Sequence, residues 1–510
     1  SRSYLRKERR KIDLGCKTKN DIEILWHTSA HLLAFLVKKI YPEVKRGLGG
    51  ITKDGFYYDF YGRRFTKEDL HKLEEELERV IKGSIKFEKL EVSKEEALKI
   101  FQGEDFKLDV IKELEKIPLI KFEDLYDLCE GEFTNSLGAL KLKDISGAYW
   151  RGKVDNPMLY RISGIAFKTK EELKEYLNLR ESLEKRDHRY LGRSLELFHF
   201  KEEAPGSVFF YEKGVILRNL LIDLWRKEHY KQGYKEILTP LLLNKELWIK
   251  SGHWDNYREY MFLTKTEDSE LVIKPMNCPG AILTYLSEER SYRDLPLRLA
   301  ELGLVHRQEL SGVLSGLFRV RSFTQDDAHI FVSEEELEEE LLRVINLVDK
   351  FYKLFGFEYT VELSTRPDKA LGSEEVWEKA TKSLIRALKR KNLEYKVSEK
   401  EGAFYGPKLD FHIKDSLGRS WQCATIQVDF VMPERFNLTY IGRDGKEHRP
   451  VIIHRVIYGS LERFIGILVE HYNGAFPFWL APLQLIVIPI SDEYISYAKD
   501  IAERLRQEGF

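Results

Sequence analysis

The spacing of hydrophobic residues in the first third of the chain predicts a region of mixed helices and strands. Apolar residues recur at helical spacing over Asn20–Ile40, which is typical of a helix that buries one face. Phe56–Phe60 and Ala139–Leu142 are short segments that we expect to be strands. Together these segments indicate an α/β region.

Helix boundaries in the same region are marked by capping residues. Thr66 and Ser93 are each followed three residues later by an acidic side chain, which is the form of a capping box. We expect Gly83 and Gly103 to end these two helices, because glycine accepts the left-handed conformation after a last turn. Thr169 opens a third capping box and a charged helix, whose few apolar positions suit a connector between domains.

Beyond that connector the pattern predicts a larger region of strands and helices. Val215–Lys231 is expected to be a long helix, and Tyr234–Leu238 a strand that ends before Pro240. Ser333 caps another long helix, which we expect to end near Gly356.

The last segment has a different pattern. Leu483–Ile490 is a continuous apolar run, typical of a strand buried on both faces. Asp492–Glu508 is amphipathic at helical spacing. Because a parallel sheet needs further strands, we expect this βα unit to begin a domain whose remainder is absent from the chain.

Composition sets broad limits on the kind of protein. A chain of 510 residues is long enough for about two to four domains. Lys and Arg number 83, and Asp and Glu number 84, which gives a net charge of −1. A nucleic-acid partner would therefore bind local basic patches rather than the whole surface. Two candidate patches are Arg2–Lys11 and Lys185–Arg193, for which a solvated linker is the alternative explanation.

The cysteines indicate a reducing compartment. Cys16, Cys129, Cys278 and Cys423 lie far apart and form no CxxC pair, which argues against a disulfide framework. No apolar run approaches the roughly 20 residues that span a bilayer. The charged opening segment is unlike a signal peptide. We therefore expect a cytoplasmic protein.

Two polar segments carry most of the candidate chemistry. His306–Phe331 and His454–Leu468 together supply Arg307, Arg319 and Arg463 beside acidic, amide and imidazole groups. Planar guanidinium groups bind phosphates and carboxylates through paired hydrogen bonds. Such a set suits a pocket that holds ATP, a small amino acid and a metal ion.

The two segments resemble motifs 2 and 3 of the class II aminoacyl-tRNA synthetases, and their details resemble the threonyl-tRNA synthetases. The resemblance implies an α+β multidomain protein whose catalytic domain, residues 191–480, is a seven-stranded type of antiparallel sheet flanked by helices. It also implies an α/β editing-type domain at residues 1–170, a helical linker at 171–190 and the beginning of an α/β anticodon-binding domain at 481–510. The small ubiquitin-like domain of bacterial members is not expected here. The helix and strand that end at Pro240 would be motif 1, through which class II subunits form homodimers.

The resemblance implies a set of ATP-binding residues. Arg307 would bridge the α-phosphate and the amino-acid carboxylate, and Arg319 would bind the outer phosphates, which Mg²⁺ accompanies. Glu309 would recognise the adenine edge, while Phe323 and Arg463 would stack on its two faces.

Three further side chains near these motifs receive roles by the same resemblance. Gln422 would contact ATP, and Lys408, in the segment GAFYGPK, would join Arg307 and Arg463 among the catalytic groups. His253 would relay a proton from the terminal ribose of tRNA, for which a neutral imidazole is suited near pH 7. A structural histidine is the alternative for that position.

Cys278, His329 and His454 lie too far apart in sequence to form a local metal motif, and spacing alone favours a buried thiol and two structural histidines. The resemblance implies instead that they hold one catalytic Zn²⁺ with a fourth position open to substrate. An apolar pocket separates the near-isosteres threonine and valine only by about 10²-fold, whereas a zinc ion that binds an amino and a hydroxyl group rejects valine. Asp327 would accept a hydrogen bond from the substrate hydroxyl. Three further residues are implied to line this pocket: Gln325, Tyr405 and Gln427.

Zinc cannot exclude serine, which has the same two groups, and one missing methyl is worth only about 1–3 kcal/mol. A hydrolytic editing site for seryl-tRNA is therefore expected, and the resemblance places it in the first domain. Its residues would be His27, His31, Tyr58, Lys107, Asp127 and Cys129. The chain departs from the family's C-x-x-x-H pattern because Phe133 replaces the second histidine, which leaves the activity of this site open. Ala281 and Ser315 are smaller departures at positions where members commonly have histidine.

The implied reaction uses ATP to join threonine to tRNA(Thr) and releases AMP and pyrophosphate. Two alternatives remain open from the sequence: a seryl or prolyl synthetase of the same class, and a synthetase-like RNA-binding regulator. The zinc set of Cys278, His329 and His454 argues against the first, and the intact arginines of motifs 2 and 3 argue against the second.

Overall fold

A computed structural model describes residues 20–83, 85–153 and 155–510, and these residues divide into two compact units between Ser182 and Leu183. Cys16 and the basic segment Arg2–Lys11 lie outside the described residues. No helix in the described part of the chain is both long enough and apolar enough to cross a membrane.

The first unit consists of helices and two antiparallel sheets. Its helices are α1 (Asp21–Ile40), α2 (Lys67–Lys82), α3 (Lys94–Ile100) and α4 (Asp105–Ile111), and α5 (Lys170–Arg186) follows them. Its strands are β1 (Lys45–Thr52), β2 (Gly55–Tyr61), β3 (Phe87–Val92), β4 (Ile117–Phe122), β5 (Leu125–Leu128), β6 (Ala139–Tyr149) and β7 (Met158–Phe167). One sheet has the order β1-β2-β7-β6, and the other has the order β3-β4-β5.

Polar side chains cap the starts of α1, α2, α3 and α5, and the caps of the last three were predicted. Asn20 accepts a hydrogen bond from the Glu23 N–H at 3.0 Å at the start of α1. Thr66 forms a complete capping box at the start of α2, and Ser93 caps α3. Thr169 does the same at α5, which buries none of its residues. These four helix starts are therefore confirmed.

The predicted helix ends are only partly confirmed. Gly103 has a φ of +86° and takes the expected left-handed conformation. Gly83 ends α2 but has a φ of −82°, so the prediction of a left-handed residue is wrong there. A hydrogen bond from the Gly83 N–H to the Val80 carbonyl closes the last turn without a positive φ.

The second unit is larger and is built around one sheet. Its helices are α6 (His188–Ser194), α7 (Glu212–Lys231), α8 (Lys245–Lys250), α9 (His253–Tyr257), α10 (Cys278–Tyr285), α11 (Leu337–Phe355), α12 (Glu374–Arg390), α13 (Val431–Arg435), α14 (Leu461–His471) and α15 (Ile495–Gln507). Its strands are β8 (Phe198–His199), β9 (Phe209–Phe210), β10 (Lys235–Glu236), β11 (Leu242–Asn244), β12 (Phe262–Lys265), β13 (Glu270–Ile273), β14 (Leu297–His306), β15 (Ser322–Val332), β16 (Glu358–Ser364), β17 (Tyr395–Ser398), β18 (Lys408–Lys414), β19 (Ser420–Asp429), β20 (Tyr440–Ile441), β21 (Glu447–His448) and β22 (Val451–Ser460).

The main sheet has eight strands in the order β10-β14-β15-β22-β19-β18-β16-β17. The six inner strands are antiparallel, and the short edge strands β10 and β17 pair in parallel with their neighbours. This is the expected antiparallel sheet, extended at its edges. Three smaller sheets accompany it: β11-β13-β12, β20-β21 and β8-β9.

One face of the main sheet forms the hydrophobic core with α11, α12 and α14. Along β15, Ala328 and Ile330 belong to this core. Because successive side chains of a strand point to opposite faces, Gln325, Asp327 and His329 lie on the other face. The alternation of β15 therefore assigns these three polar side chains to the face that helices α11, α12 and α14 leave uncovered.

Two predicted strands differ from the structure. Leu483–Ile490 forms no strand, and Ile488 and Ile490 are 76% and 91% exposed, so the prediction of a doubly buried strand is wrong. A strand buried on both faces needs hydrogen-bonding neighbours and covering layers, and none of the described residues supplies them to this segment. The predicted strand Tyr234–Leu238 shortens to the two residues of β10. The helix that begins after Ser333 ends as expected at Gly356, whose φ is +75°.

Candidate active site

Cross-strand register builds the candidate site from residues that are distant in sequence. His329 lies opposite His454, His454 lies opposite Gln427, and Gln427 lies opposite Lys408. Asp327 is two residues from His329 on β15 and therefore points to the same face. The strand register alone thus brings these five side chains together on one face of the sheet.

This row borders a cavity of about 190 Å³. The predicted site residues in its lining are Cys278, Arg307, Gln325, Asp327, His329, Tyr405, Lys408, Gln422, Gln427 and His454. The lining is completed by Met276, Thr425, Arg455 and Val456, which sequence analysis did not single out. Thr425 and Val456 occupy the register row of Asp327, so strand alternation was the signal that could have found them.

Cys278, His329 and His454 bring one sulfur and two ring nitrogens within 4.8 Å of one another, and all three residues are buried. Cys278 is the first residue of α10. The Nε2 of His454 lies 2.8 Å from Asp429 Oδ2, and such a carboxylate orients a metal-binding imidazole. One thiol and two imidazoles gathered in this way are a donor set that suits Zn²⁺ and leaves a fourth coordination position for another group.

Burial controls the protonation of these groups. Burial, together with the nearby Asp327 and Asp429, raises the pKa of the Cys278 thiol well above its usual range. Burial also lowers the pKa of His329, so this imidazole is in the neutral form that binds metal ions. The pKa of Asp327 is raised to about 6 by burial, against the hydrogen bond that it accepts from Asn277 Nδ2 at 3.2 Å. A divalent cation would stabilise the thiolate that burial alone disfavours.

A buried carboxylate, Asp410, contacts several side chains at the Lys408 end of this cross-strand row. Its Oδ1 accepts hydrogen bonds from Gln422 Nε2 at 2.7 Å and from Thr425 Oγ1 at 2.9 Å. Its Oδ2 lies 2.9 Å from Lys408 Nζ. Asp410 was not among the predicted site residues, although its position two residues after Lys408 on one strand was an available signal. Tyr405 donates a short hydrogen bond to Gln427 Oε1 beside this group.

A second cavity, of about 480 Å³, adjoins the first. The residues that line both cavities are Arg307, Gln325, Gln422, Thr425 and Val456. The other predicted ATP residues, Glu309, Arg319, Phe323 and Arg463, line the second cavity. The structure therefore brings the whole predicted ATP set around one space that opens onto the first cavity.

The arginines of the second cavity have specific partners. The Arg307 guanidinium carbon lies 5.0 Å from the centre of the Phe323 ring. Arg319 donates to the Glu309 carboxylate at 2.9 and 3.1 Å. The Arg463 guanidinium lies 5.7 Å from the ring of Trp421, a residue that sequence analysis did not single out. Three guanidinium groups around one cavity attract a polyanion.

His253 lies behind Cys278 rather than in the lining of either cavity. It is fully buried, its Nδ1 lies 2.8 Å from Ser251 Oγ, and its Nε2 lies 3.5 Å from Cys278 Sγ. Burial lowers its pKa to about 3, and the charges of His454, Arg435 and Arg307 add to this effect. The geometry supports a role in holding Cys278, and the proton relay remains a prediction.

A second cluster of titratable groups occupies the first unit and contains the predicted editing residues. His31 Nδ1 lies 2.8 Å from Asp127 Oδ2, and the same oxygen accepts a hydrogen bond from Tyr58 at 2.7 Å. Lys107 Nζ lies 2.5 Å from Asp127 Oδ1. Burial opposes the ionisation of Asp127, but Lys107, His31 and Arg46 outweigh it and hold the pKa of this carboxyl well below its usual range.

The two histidines of α1 meet the cysteine in the same cluster. His27 Nε2 lies 3.1 Å from His31 Nε2 and 3.8 Å from Cys129 Sγ. The carbonyl of Glu132 lies 2.9 Å from His27 Nδ1. The next residue, Phe133, packs against the core, with its ring centre 6.0 Å from that of Phe87. The structure thus assembles the predicted editing residues and places an aromatic ring where the family pattern has an imidazole.

Comparisons with known proteins agree with this geometry. Residues 260–472 match the family model described as the tRNA synthetase class II core domain (G, H, P, S and T). The threonine–tRNA ligase of Caldanaerobacter subterraneus subsp. tengcongensis is 58% identical over 494 residues, which are 95% of this chain and 77% of that protein. The threonine–tRNA ligase of Clostridium novyi is 54% identical over 496 residues, which are 96% of this chain and 78% of that protein.

Two solved structures are also similar. One is described as the RNA binding domain of threonyl-tRNA synthetase from Cryptosporidium parvum: it is 44% identical, has a TM-score of 0.62, and the match covers 64% of this chain and 82% of that chain. The other is described as a threonyl-tRNA synthetase from Aeropyrum pernix: it is 34% identical, has a TM-score of 0.55, and the match covers 62% of this chain and 76% of that chain.

Proposed function

This chain belongs to the threonine–tRNA ligase family of the class II aminoacyl-tRNA synthetases, and we propose that its second unit uses the two joined cavities to activate threonine with ATP and to pass it to tRNA(Thr). The second cavity holds ATP with Mg²⁺, and the first holds threonine. The observation that carries this proposal is that Arg307 lines both cavities, because the reacting phosphate and carboxylate must meet beside one cation.

The position of each arginine in the second cavity indicates its role. Arg307 neutralises the α-phosphate and the attacking carboxylate together, which lowers the cost of joining two anions. Arg319 exchanges its Glu309 partner for the outer phosphates of ATP when nucleotide binds. Phe323 and Arg463 supply an aromatic and a cationic surface for the adenine. Lys408 acts from the threonine side, held by Asp410.

Cys278, His329 and His454 would hold Zn²⁺ in the threonine cavity. When bound there, the ion would supply a Lewis acid that accepts the amino and hydroxyl groups of threonine and discriminates against valine. Asp327 accepts the hydrogen bond of the substrate hydroxyl, and although burial raises its pKa to about 6, it is mostly an ionised acceptor near pH 7. Gln325, Tyr405 and Gln427 shape the rest of the cavity wall.

ATP–pyrophosphate exchange tests the proposal. We expect exchange with threonine, much weaker exchange with serine and none with valine or proline. Cys278→Ser and His329→Asn should lose bound zinc and threonine-dependent exchange by at least about 10²-fold, whereas His448→Asn, on an exposed strand, should keep both. Exchange driven best by serine or proline would reject the assignment of the first cavity, and RNA binding without any adenylate formation would favour a regulator. The relatives favour neither alternative.

We infer that the first unit hydrolyses seryl-tRNA at the cluster of His27, His31 and Asp127. The support is the buried chain of hydrogen bonds that links an imidazole pair to a carboxylate, which can position and deprotonate a water molecule. Purified seryl-tRNA(Thr) should be hydrolysed by the wild type and at least about tenfold more slowly by His31→Ala. Equal hydrolysis rates would remove this function from the cluster.

We infer further that two copies of the chain pair through the surface of motif 1. Tyr230, at the end of α7, is 84% exposed, and Leu238, after β10, is 87% exposed. These two exposed apolar side chains of the motif 1 segment are the support for this inference. Light scattering should give twice the chain mass, and Leu238→Glu should shift it towards the monomer while Leu179→Glu, in the connector helix, should not.

A further inference from the structure

His188 connects helix α14 to the loop that borders the second cavity. It is the first residue of α6 and is fully buried. Its Nδ1 lies 2.7 Å from Glu470 Oε1, and its backbone N–H donates to the same oxygen at 2.9 Å. On the other side of the ring, the Leu317 N–H donates to His188 Nε2 at 2.9 Å. One imidazole therefore joins two segments that are remote in sequence.

The hydrogen bonds define the tautomer of this imidazole. A backbone N–H can only donate, so His188 Nε2 is the acceptor of the Leu317 bond and carries no proton. The ring proton lies on Nδ1 and points to the Glu470 carboxylate. Only this neutral tautomer satisfies both partners at once.

Both segments that His188 joins also carry side chains of the second cavity. Leu317 and Phe318 line the cavity, and so does Arg463, which lies two turns before Glu470 on one face of α14. The His188 ring packs on Phe318 with ring centres 4.1 Å apart.

The ring contacts continue from this loop to the helix. Phe318 packs on Trp421 with ring centres 4.4 Å apart, and Trp421 is the ring beside which the Arg463 guanidinium lies. His188 is thus the first member of a packed series that ends at a predicted ATP-binding arginine.

Gly316 shows how closely the loop approaches the imidazole. Its φ is +49°, and a Cβ built there would lie 2.2 Å from His188 Nε2. A side chain at this position would force the loop away from the ring. The glycine therefore permits the Leu317 hydrogen bond.

These contacts also explain part of the basic segment Lys185–Arg193. Its histidine is internal, Arg186 donates to the Glu470 carbonyl at 3.1 Å, and Arg189 pairs with Asp187 at 2.7 Å. The segment is therefore at least partly a structural element of the catalytic unit rather than a free patch for nucleic acid.

We propose that His188 is a positioning residue for the ATP site: it holds Leu317 and Phe318 against α14, so that Arg319, which follows them, and Arg463 face the same nucleotide. This inference rests on the assignment of the second cavity to ATP. The expected effect is on the binding of ATP and not on the binding of threonine, because neither His188 nor the two loop residues that it holds line the threonine cavity.

Two substitutions distinguish the hydrogen bond of the His188 ring to Glu470 from the one that it accepts from Leu317. His188→Asn keeps a donor near the Nδ1 position for Glu470 but offers no acceptor to the Leu317 N–H. His188→Gln places an oxygen near the Nε2 position and keeps that acceptor. In threonine-dependent exchange, we expect the KM for ATP to rise about five- to tenfold in the Asn variant and to stay within about twofold in the Gln variant. The KM for threonine should stay within about twofold in both.

Gly316→Ala reaches the same contact from the loop side and avoids substitution of a buried polar residue. It should raise the KM for ATP without raising the KM for threonine, and it decides the question if neither histidine variant folds. Equal KM values for ATP in the Asn and Gln variants, a parallel rise of the KM for threonine, or an unchanged KM for ATP in Gly316→Ala would overturn the proposal. Threonine-dependent exchange by the wild type tests the proposed function separately.

Discussion

His329 and His454 lie directly opposite each other on adjacent antiparallel strands, with their ring centres 4.9 Å apart. Their separation is therefore determined by the hydrogen-bond register of the sheet, and Cys278 completes the group from the first residue of α10. Ligands held on strands and helices need little rearrangement when an ion binds. The predicted metal ligands can therefore be tested separately from the predicted ATP-binding residues.

Removal of the metal should abolish threonine activation and leave ATP binding intact. The predicted ligands line the first cavity, whereas Arg319 and Phe323 line only the second. After treatment with a chelator, we expect threonine-dependent exchange to fall by at least about 10²-fold and to return with one equivalent of Zn²⁺ per chain. ATP affinity, measured by equilibrium titration, should change by less than about twofold. A matching loss of ATP affinity would show that the two cavities are not independent.

Asp410→Asn should reduce activation strongly without unfolding the protein. The substitution removes the negative charge that holds Lys408 and replaces one acceptor oxygen with a donor facing Gln422 or Thr425. Hydrogen bonds to charged groups are worth about 1.5–3 kcal/mol, so kcat/KM for threonine in exchange should fall about 10- to 100-fold. The exposed Asp268→Asn is the matched control and should behave as the wild type. An Asp410 variant with full activity would mean that Lys408 is positioned by other contacts.

The sequence predicted the site more completely than it predicted the edges of the fold. Motif resemblance identified His329 and Arg307 because it reports residue identity, and strand alternation then placed them on one face. Asp410 and Trp421 were missed because they act through other side chains, which a motif of substrate contacts does not include. Leu483–Ile490 was mistaken for a buried strand because hydrophobicity reports what a segment could bury and not whether a partner covers it.

The stability of the first unit should depend on Asp69 below about pH 4. Burial would raise the pKa of Asp69, but hydrogen bonds from Thr66, Arg63 and Tyr41 outweigh it and lower the pKa to about 2. Because the folded-state pKa lies below the unfolded value of about 3.9, this carboxylate stabilises the fold above pH 4, and the stabilisation is lost as the pH falls towards 2. Up to about 2 kcal/mol is involved.

Acid unfolding followed by far-ultraviolet circular dichroism measures this effect. Asp69→Asn should be less stable than the wild type at pH 6 and should lose less stability between pH 4 and pH 2. Asp144→Asn, at an exposed position of β6, should reproduce the wild-type profile. Parallel profiles for Asp69→Asn and the wild type would exclude Asp69 as a source of the acid sensitivity.

Phe133→His should increase the hydrolysis of seryl-tRNA and leave threonine-dependent exchange unchanged. Position 133 directly follows Glu132, whose carbonyl lies 2.9 Å from His27 Nδ1, so we expect a histidine side chain there to reach the existing pair by turning away from Phe87. A further general acid or base near the attacked ester should raise the hydrolysis rate at least about tenfold. Phe133→Leu is the matched control, because it also removes the ring contact with Phe87 but adds no titratable group. Equal hydrolysis by the His and Leu variants would show that any gain comes from added space and not from the imidazole.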